Sequence, residues 1–205
     1  MNDMIICIGR QYGSGGREVG EKLAKRLGVT CYDKLLLKQA AKEGGVSLGE
    51  VERQDEKPVS ASAFLSGNVF ADSASIGGAF YSQSQLVYDA EKKAILDAAA
   101  KGGCVIIGRC ADYVLDGTEG LIRVFLYADI KVREERVRER NLYADKDVLK
   151  NIHRIDRERR DYNRYYAGRD WEKPENYDLL INTTQIGVDG AVQLIKDYLK
   201  MRGLL

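Results

Sequence analysis

Met4-Ile-Ile-Cys-Ile-Gly9-Arg-Gln-Tyr-Gly13-Ser-Gly-Gly16-Arg17 runs from an apolar stretch into four glycines within eight residues. The apolar run Met4–Ile8 reads as a buried strand. The glycines that follow let successive backbone N–H groups converge on one point, and the next segment supplies a helix. Val19, Leu23 and Leu27 recur at four-residue spacing, one helical stripe, and Gly28 suits the C-terminal cap. A strand, a glycine-rich turn and a helix N-terminus together form an anion site, because free N–H groups and the helix dipole both favour negative charge there.

Working outward, the pattern repeats. Val29–Tyr32 reads as a second strand ending at Asp33, and Lys34–Lys42 as a helix. Ser47-Leu-Gly-Glu50 has the form of a capping box. Gln85–Lys101 is helical, Cys104–Ile107 a third strand, Leu121–Tyr127 a fourth, and Ile130–Asn141 a helix. Asp145–Arg164 is a strongly charged helix, Tyr177–Ile181 a fifth strand, and Val188–Met201 a last amphipathic helix. Strands alternating with helices predict a five-stranded parallel sheet sandwiched by helices, with ligands beyond the carboxyl ends of the strands. The expected organisation is one domain over 1–205. Residues 55–84, rich in Ser, Ala and Gly around Phe64, Phe70 and Phe80, read as a mobile acceptor-side segment, and 142–172 as a helical lid.

Composition excludes several classes. The 205 residues are 44% hydrophobic and 31% charged, ordinary for a globular enzyme. The net charge of +1 argues against a nucleic-acid partner. No apolar run is long enough for a membrane span. Cys7, Cys31, Cys104 and Cys110 form no C-x-x-C pair, and three lie in apolar runs, so buried free thiols in the cytoplasm are expected. One histidine, His153, makes a zinc site unpromising, and no residue is assigned to a metal. The charge is uneven, however. Ten of the 17 arginines fall between Lys131 and Asp170, where 13 Lys+Arg face 9 Asp+Glu. An arginine store on a neutral chain points to a small anionic ligand.

Against the phosphate-loop pattern G-x-x-x-x-G-K-[ST], Arg10 stands at the first glycine, Gly16 at the lysine and Arg17 at the hydroxyl position. Sliding by one residue puts Arg17 at the lysine position, followed by Glu18. Arg17 is then the cation able to reach back to phosphates. Later, Arg157, Asp161 and Arg164 are spaced to share one helix face, where two forked cations flank a carboxylate. Such a group suits phosphoryl transfer, which needs positioning and charge neutralisation more than covalent chemistry. A solvated, salt-bridged face is the plain alternative. Arg133, Arg136 and Arg140 also share a face, read as solvent-facing or touching a donor base. Trp171, Tyr162, Tyr165 and Tyr166 read as packing at the end of the lid.

Tyr12-Gly-Ser-Gly-Gly-Arg17, Val105-Ile-Ile-Gly-Arg-Cys-Ala-Asp112 and Arg157-x-x-x-Asp161-x-x-Arg164 occur in order, and together the chain resembles the cytidylate kinase-like family of P-loop nucleoside monophosphate kinases. The resemblance implies a P-loop kinase fold, ATP and Mg²⁺, and transfer to a nucleotide, CMP or dCMP by default. Tyr12, Gly13, Ser14, Gly15, Gly16 and Arg136 would then bind the donor. Asp33, Arg109 and Asp112 would bind the acceptor, and Arg17, Arg157, Asp161 and Arg164 would act at the transfer site. Asn182-Thr-Thr184 falls where donor adenine contacts occur in related kinases, or is simply a turn into a helix. The sequence departs from the family at the loop lysine, at Cys110 in place of Asp, and at Lys34 in place of Ser. Two other readings therefore stand beside it: a nucleotide-binding module with little catalysis, and a kinase with a non-nucleotide acceptor. A monomer or homodimer is expected.

Overall fold

The computed structural model describes residues 4–45, 47–49, 52, 56 and 83–205. Five parallel strands form one sheet: β1 (Ile5–Arg10), β2 (Thr30–Tyr32), β3 (Cys104–Ile107), β4 (Leu121–Tyr127) and β5 (Leu179–Asn182). Their order across the sheet is β2-β3-β1-β4-β5, with Ile5 level with both Cys104 and Leu121. Among the described residues seven helices pack around it: α1 (Gly16–Leu27), α2 (Lys34–Gly44), α3 (Gln83–Ala100), α4 (Ala111–Val114), α5 (Ile130–Glu139), α6 (Val148–Ala167) and α7 (Thr183–Met201).

Alternation along β1 decides how the two faces fill. Ile5 and Cys7 face one way, into a core with Leu36, Leu37, Ala94 and Ile95 of α2 and α3. Ile6 and Ile8 face the other, into a core with Val19 and Leu23 of α1 and with Val192 and Ile195 of α7. A strand buried on both faces is a continuous apolar run, which is why Met4–Ile8 shows no polar alternation.

Each expected strand is present: β3 and β4 have the expected bounds, and the ends of β1, β2 and β5 move by one or two residues. β1 continues through Gly9 to Arg10, and β5 starts at Leu179 rather than Tyr177. The charged helix begins as a short 3₁₀ turn at Asp145–Asp147 and then runs from Val148 to Ala167, past Arg164. The last helix starts earlier than expected, at Thr183, and leaves helical geometry at Gly187 (φ 62°, ψ −166°). Glu50, at the end of the expected capping box, and residues 55 and 57–82 of the acceptor-side segment lie outside the described residues. All four cysteines are free, and three of them are buried. No helix among the described residues is long and apolar enough to cross a membrane.

Because β3 and β4 flank β1, the chain leaves the end of β1 in one direction and the end of β3 in the other. The crevice at these carboxyl ends holds the site.

Candidate functional site

A cavity of about 630 Å³ opens beyond β1 and β3. Its floor is the glycine-rich loop, where Gly13 (φ 82°) and Gly15 (φ 85°) take left-handed conformations that side chains disfavour. Gly16 begins α1, so the first-turn N–H groups of that helix point at the cavity without an earlier turn to bond.

The loop is held from behind by a buried ion pair. Asp156 of α6 accepts from the Tyr12 N–H (2.7 Å), and Arg133 of α5 donates Nε to the Tyr12 carbonyl (2.8 Å). Arg133 and Asp156 also bond each other. The expectation that Arg133 faces solvent or brushes a donor base is thus corrected: it is buried, and its partner is a carboxylate sixteen residues beyond Arg140. Ser14 is also turned away, its hydroxyl donating to the Gln11 carbonyl (2.8 Å). Arg136 donates Nη1 to the Ser14 carbonyl (2.9 Å) and to Thr183 Oγ1 (3.0 Å), and the Thr183 hydroxyl donates to the same Ser14 carbonyl (2.7 Å). Asn182 caps the start of α7, its Oδ1 accepting from the Thr184 N–H (2.9 Å), and Thr184 Oγ1 accepts from the Asp129 N–H ahead of α5 (2.8 Å), which fits the turn into a helix.

Six arginines and four carboxylates line the cavity. Arg17, at the start of α1, pairs with Asp33 at the end of β2 (2.9 Å), and Arg109, after β3, approaches the other Asp33 oxygen (3.6 Å). Arg109 is buried in a left-handed turn that continues through Cys110 (φ 57° and 52°), a conformation costly for both residues. Tyr12, Gly13, Gly15, Gly16, Arg17, Asp33 and Arg109 all meet in this one space, as the sequence motifs require.

Other expected residues are elsewhere. Arg157, Asp161 and Arg164 do share a face of α6, but it is the exposed face, and Arg164 lies 3.7 Å from exposed Asp170. The cavity is lined by Arg154, Ile155, Glu158 and Arg159 of the same helix. Rotation is set by the apolar residues: Val148 and Ile152 pack on Val137, and Tyr162 packs on Tyr88. Asp112 is likewise outside the acceptor space. It is buried against Arg169, and burial raises its carboxyl above the ordinary range despite that arginine. Trp171 packs edge-on against Phe125 (5.1 Å), the packing role expected of it.

The charged cavity residues that the sequence motifs do not mark include Arg10, Arg140, Arg154, Arg159 and Glu56. In the sequence Arg10 stands out only as a departure from the loop pattern. Glu56 had no motif at all. Burial pushes its carboxyl up, but Arg10, Arg159 and Arg109 outweigh this and hold it well below the usual carboxylate range.

Among the described residues no group of three or more His, Cys, Asp or Glu is arranged to hold a metal, and the loop hydroxyl of Ser14 is committed to a carbonyl. The arginine-lined cavity fits a phosphate group together with a divalent ion that would take its ligands mainly from phosphate oxygens and water.

Comparison with known proteins gives the family and the fold. A sequence model of the cytidylate kinase-like family matches residues 5–185. The cytidylate kinase of Pyrococcus horikoshii is 26% identical over 196 residues, covering 94% of this chain and 86% of that protein. That of Thermococcus kodakarensis is 26% identical over 206 residues, covering 98% and 91%. A crystal structure of a protein from Eubacterium ventriosum superposes with a TM-score of 0.72 at 26% identity, covering 96% of this chain and 98% of that one. Shikimate kinase from Bacteroides thetaiotaomicron shares the fold at a TM-score of 0.54 and 14% identity, covering 96% and 98%.

Proposed function

The chain belongs to the cytidylate kinase-like family and is a kinase-type phosphotransferase; we propose that it transfers the γ-phosphoryl group of ATP to a nucleoside monophosphate, CMP or dCMP first. The observation that carries this reading is the meeting of the glycine-rich loop with Arg17, Asp33 and Arg109 across one cavity. Two anionic substrates must sit end to end, and the loop and the arginines supply two adjoining anion sites.

In this reading the donor phosphates lie on the N–H groups of Gly13–Arg17, with Arg17 at their reacting end. A divalent ion bound with ATP would neutralise part of the phosphate charge. Asp33 orients Arg17 and Arg109 between donor and acceptor. The acceptor phosphate oxygen forms a bond to the γ-phosphorus as the bond to the bridging oxygen breaks, and ADP leaves with that electron pair. Arg154 and Arg159 cover the transfer site from α6, neutralise charge there and exclude water, which protects ATP from hydrolysis. Arg136 acts on the donor side by holding Ser14 and the loop. The cation role that the resemblance gives to Arg157 and Arg164 falls, on this geometry, to the inward residues of the same helix. The four free thiols fit a reducing, cytoplasmic setting, and a monomer or homodimer acting on small molecules completes the reading.

An assay of ADP release with ATP, Mg²⁺ and each NMP and dNMP tests this directly. Turnover is expected to be fastest with CMP or dCMP. ADP release with small alcohols or acids but with no nucleotide would overturn it.

A further inference from the structure

Glu56 is the most enclosed acid of the cavity, with its side chain 10% exposed. Its carboxylate is held from three distant parts of the chain. Oε1 accepts from Arg10 Nη1 at the end of β1 and from the Arg109 N–H after β3 (3.2 Å), and Oε2 accepts from Arg159 Nε on α6 (2.8 Å). Arg159 also donates Nη1 to the Arg10 carbonyl (3.1 Å), which ties the cradle together. Gly108 leaves the room: a Cβ there would lie 1.9 Å from Glu56 Oε1 and 2.0 Å from Arg10 Nη1.

The charges do not balance. Among the described residues Glu56 is the one acidic partner of both Arg10 and Arg159. One negative charge therefore serves two largely buried cations, while the Arg109 guanidinium close by has its own acids in Asp33 and Glu91 (3.6 Å each). Burial already disfavours the charged form of Arg10, and Arg159 adds repulsion. A planar carboxylate offers two oxygens to this group. A phosphate monoester offers three oxygens and nearly two charges, a better match to forked guanidinium donors.

We propose that Glu56 is an internal stand-in for the phosphate of the acceptor: its carboxylate holds the Arg10–Arg109–Arg159 cradle together, and an incoming phosphate dianion takes the cradle by displacing it. This rests on the reading of the cavity as a phosphoryl-transfer site. It gives Arg10 a task. Standing where the loop pattern has its first glycine, Arg10 supplies a cation to a loop without lysine, on the acceptor side. The carboxylate keeps three cations together when no substrate is present. It also sets a threshold, since an anion must outcompete a tethered carboxylate, which weakly coordinating monoanions do poorly.

The test is calorimetric binding of inorganic phosphate to the full chain, without nucleotide, in wild type, Glu56→Gln and Glu56→Asp. Glu56→Gln is expected to bind phosphate at least tenfold more tightly than wild type, and to melt lower without phosphate but recover with it. Glu56→Asp keeps the charge but shortens the reach, and is expected to fall between the two. Adding Arg10→Ala to Glu56→Gln is expected to abolish the gain. Equal or weaker phosphate binding in Glu56→Gln would overturn the proposal, as would a gain that survives Arg10→Ala. If Glu56→Gln does not fold, a Glu56→Asp that binds phosphate no more tightly than wild type overturns it alone. Phosphate binding needs no turnover, so an enzyme that ignores every nucleotide would sink the nucleotide reading and leave this result standing.

Discussion

Helix α6 carries two sets of charged residues that look interchangeable in sequence. Its inward face bears Arg154, Asp156, Glu158 and Arg159; its outward face bears Arg157, Asp161 and Arg164. The inward arginine Arg159 has a side chain 12% exposed and reaches Glu56, whereas the outward Arg164 is 76% exposed. The same residue types, a few positions apart, therefore differ in everything that gives a charge its worth. A buried, multiply bonded guanidinium acts in low dielectric, while an exposed one is screened by water and salt.

The largest expected effect comes from the two aspartates. Asp156→Ala strands Arg133 and frees the Tyr12 N–H, and is expected to cost about 3–5 kcal/mol of stability by chemical denaturation, as breaking a buried pair does. Asp161→Ala, five residues away, is expected to leave the denaturation midpoint where it was. The arginines come next. Arg159→Ala is expected to lower kcat/KM about 10²–10³-fold, the scale of a lost transition-state donor. Arg157→Ala and Arg164→Ala are each expected to change it less than about threefold, the scale of an exposed pair. A third contrast lies behind the cavity. Tyr162, one turn beyond Arg159, donates to buried Glu91 (2.9 Å), so Tyr162→Phe is expected to cost about 1.5–3 kcal/mol by the same measurement.

The smallest effect is one of pH. Because the fold holds the Glu56 carboxyl below its ordinary pKa, the stability it contributes is complete above the ordinary carboxylate range and is lost as pH falls through that range and below. The difference in melting temperature between wild type and Glu56→Gln should therefore shrink on acidification from pH 7 toward pH 3. A difference that grew instead would mean that the three arginines do not hold the carboxylate.

Much of the fold could be read from hydrophobic period alone. Met4–Ile8, Cys104–Ile107 and Leu121–Tyr127 are apolar runs too short to be helices, and each is a buried strand of the parallel sheet. The loop could be read because glycine at Gly13 and Gly15 has a backbone reason. The orientation of α6 escaped for a definite cause. Spacing of four and three fixes which residues share a face, not which way that face turns. The turning is decided by the apolar stripe Val148, Ile152, Ile155, Tyr162 and Tyr166, visible in the sequence but masked by the density of charge around it. Arg154 and Arg159 flank that stripe, and reading it first would have found them. Arg133 escaped for a different reason: its partner Asp156 is 23 positions away, and no local pattern marks such a pair. Glu56 is farther still from its partners, 46 positions from Arg10 and 103 from Arg159.

The most direct test of the inward face as the working face is one coupled ADP-release assay with ATP, Mg²⁺ and CMP, run on wild type, Arg159→Ala and Arg157→Ala side by side. Turnover is expected in wild type, near-equal turnover in Arg157→Ala, and a loss of at least a hundredfold in Arg159→Ala. Full activity in Arg159→Ala with loss in Arg157→Ala would contradict it.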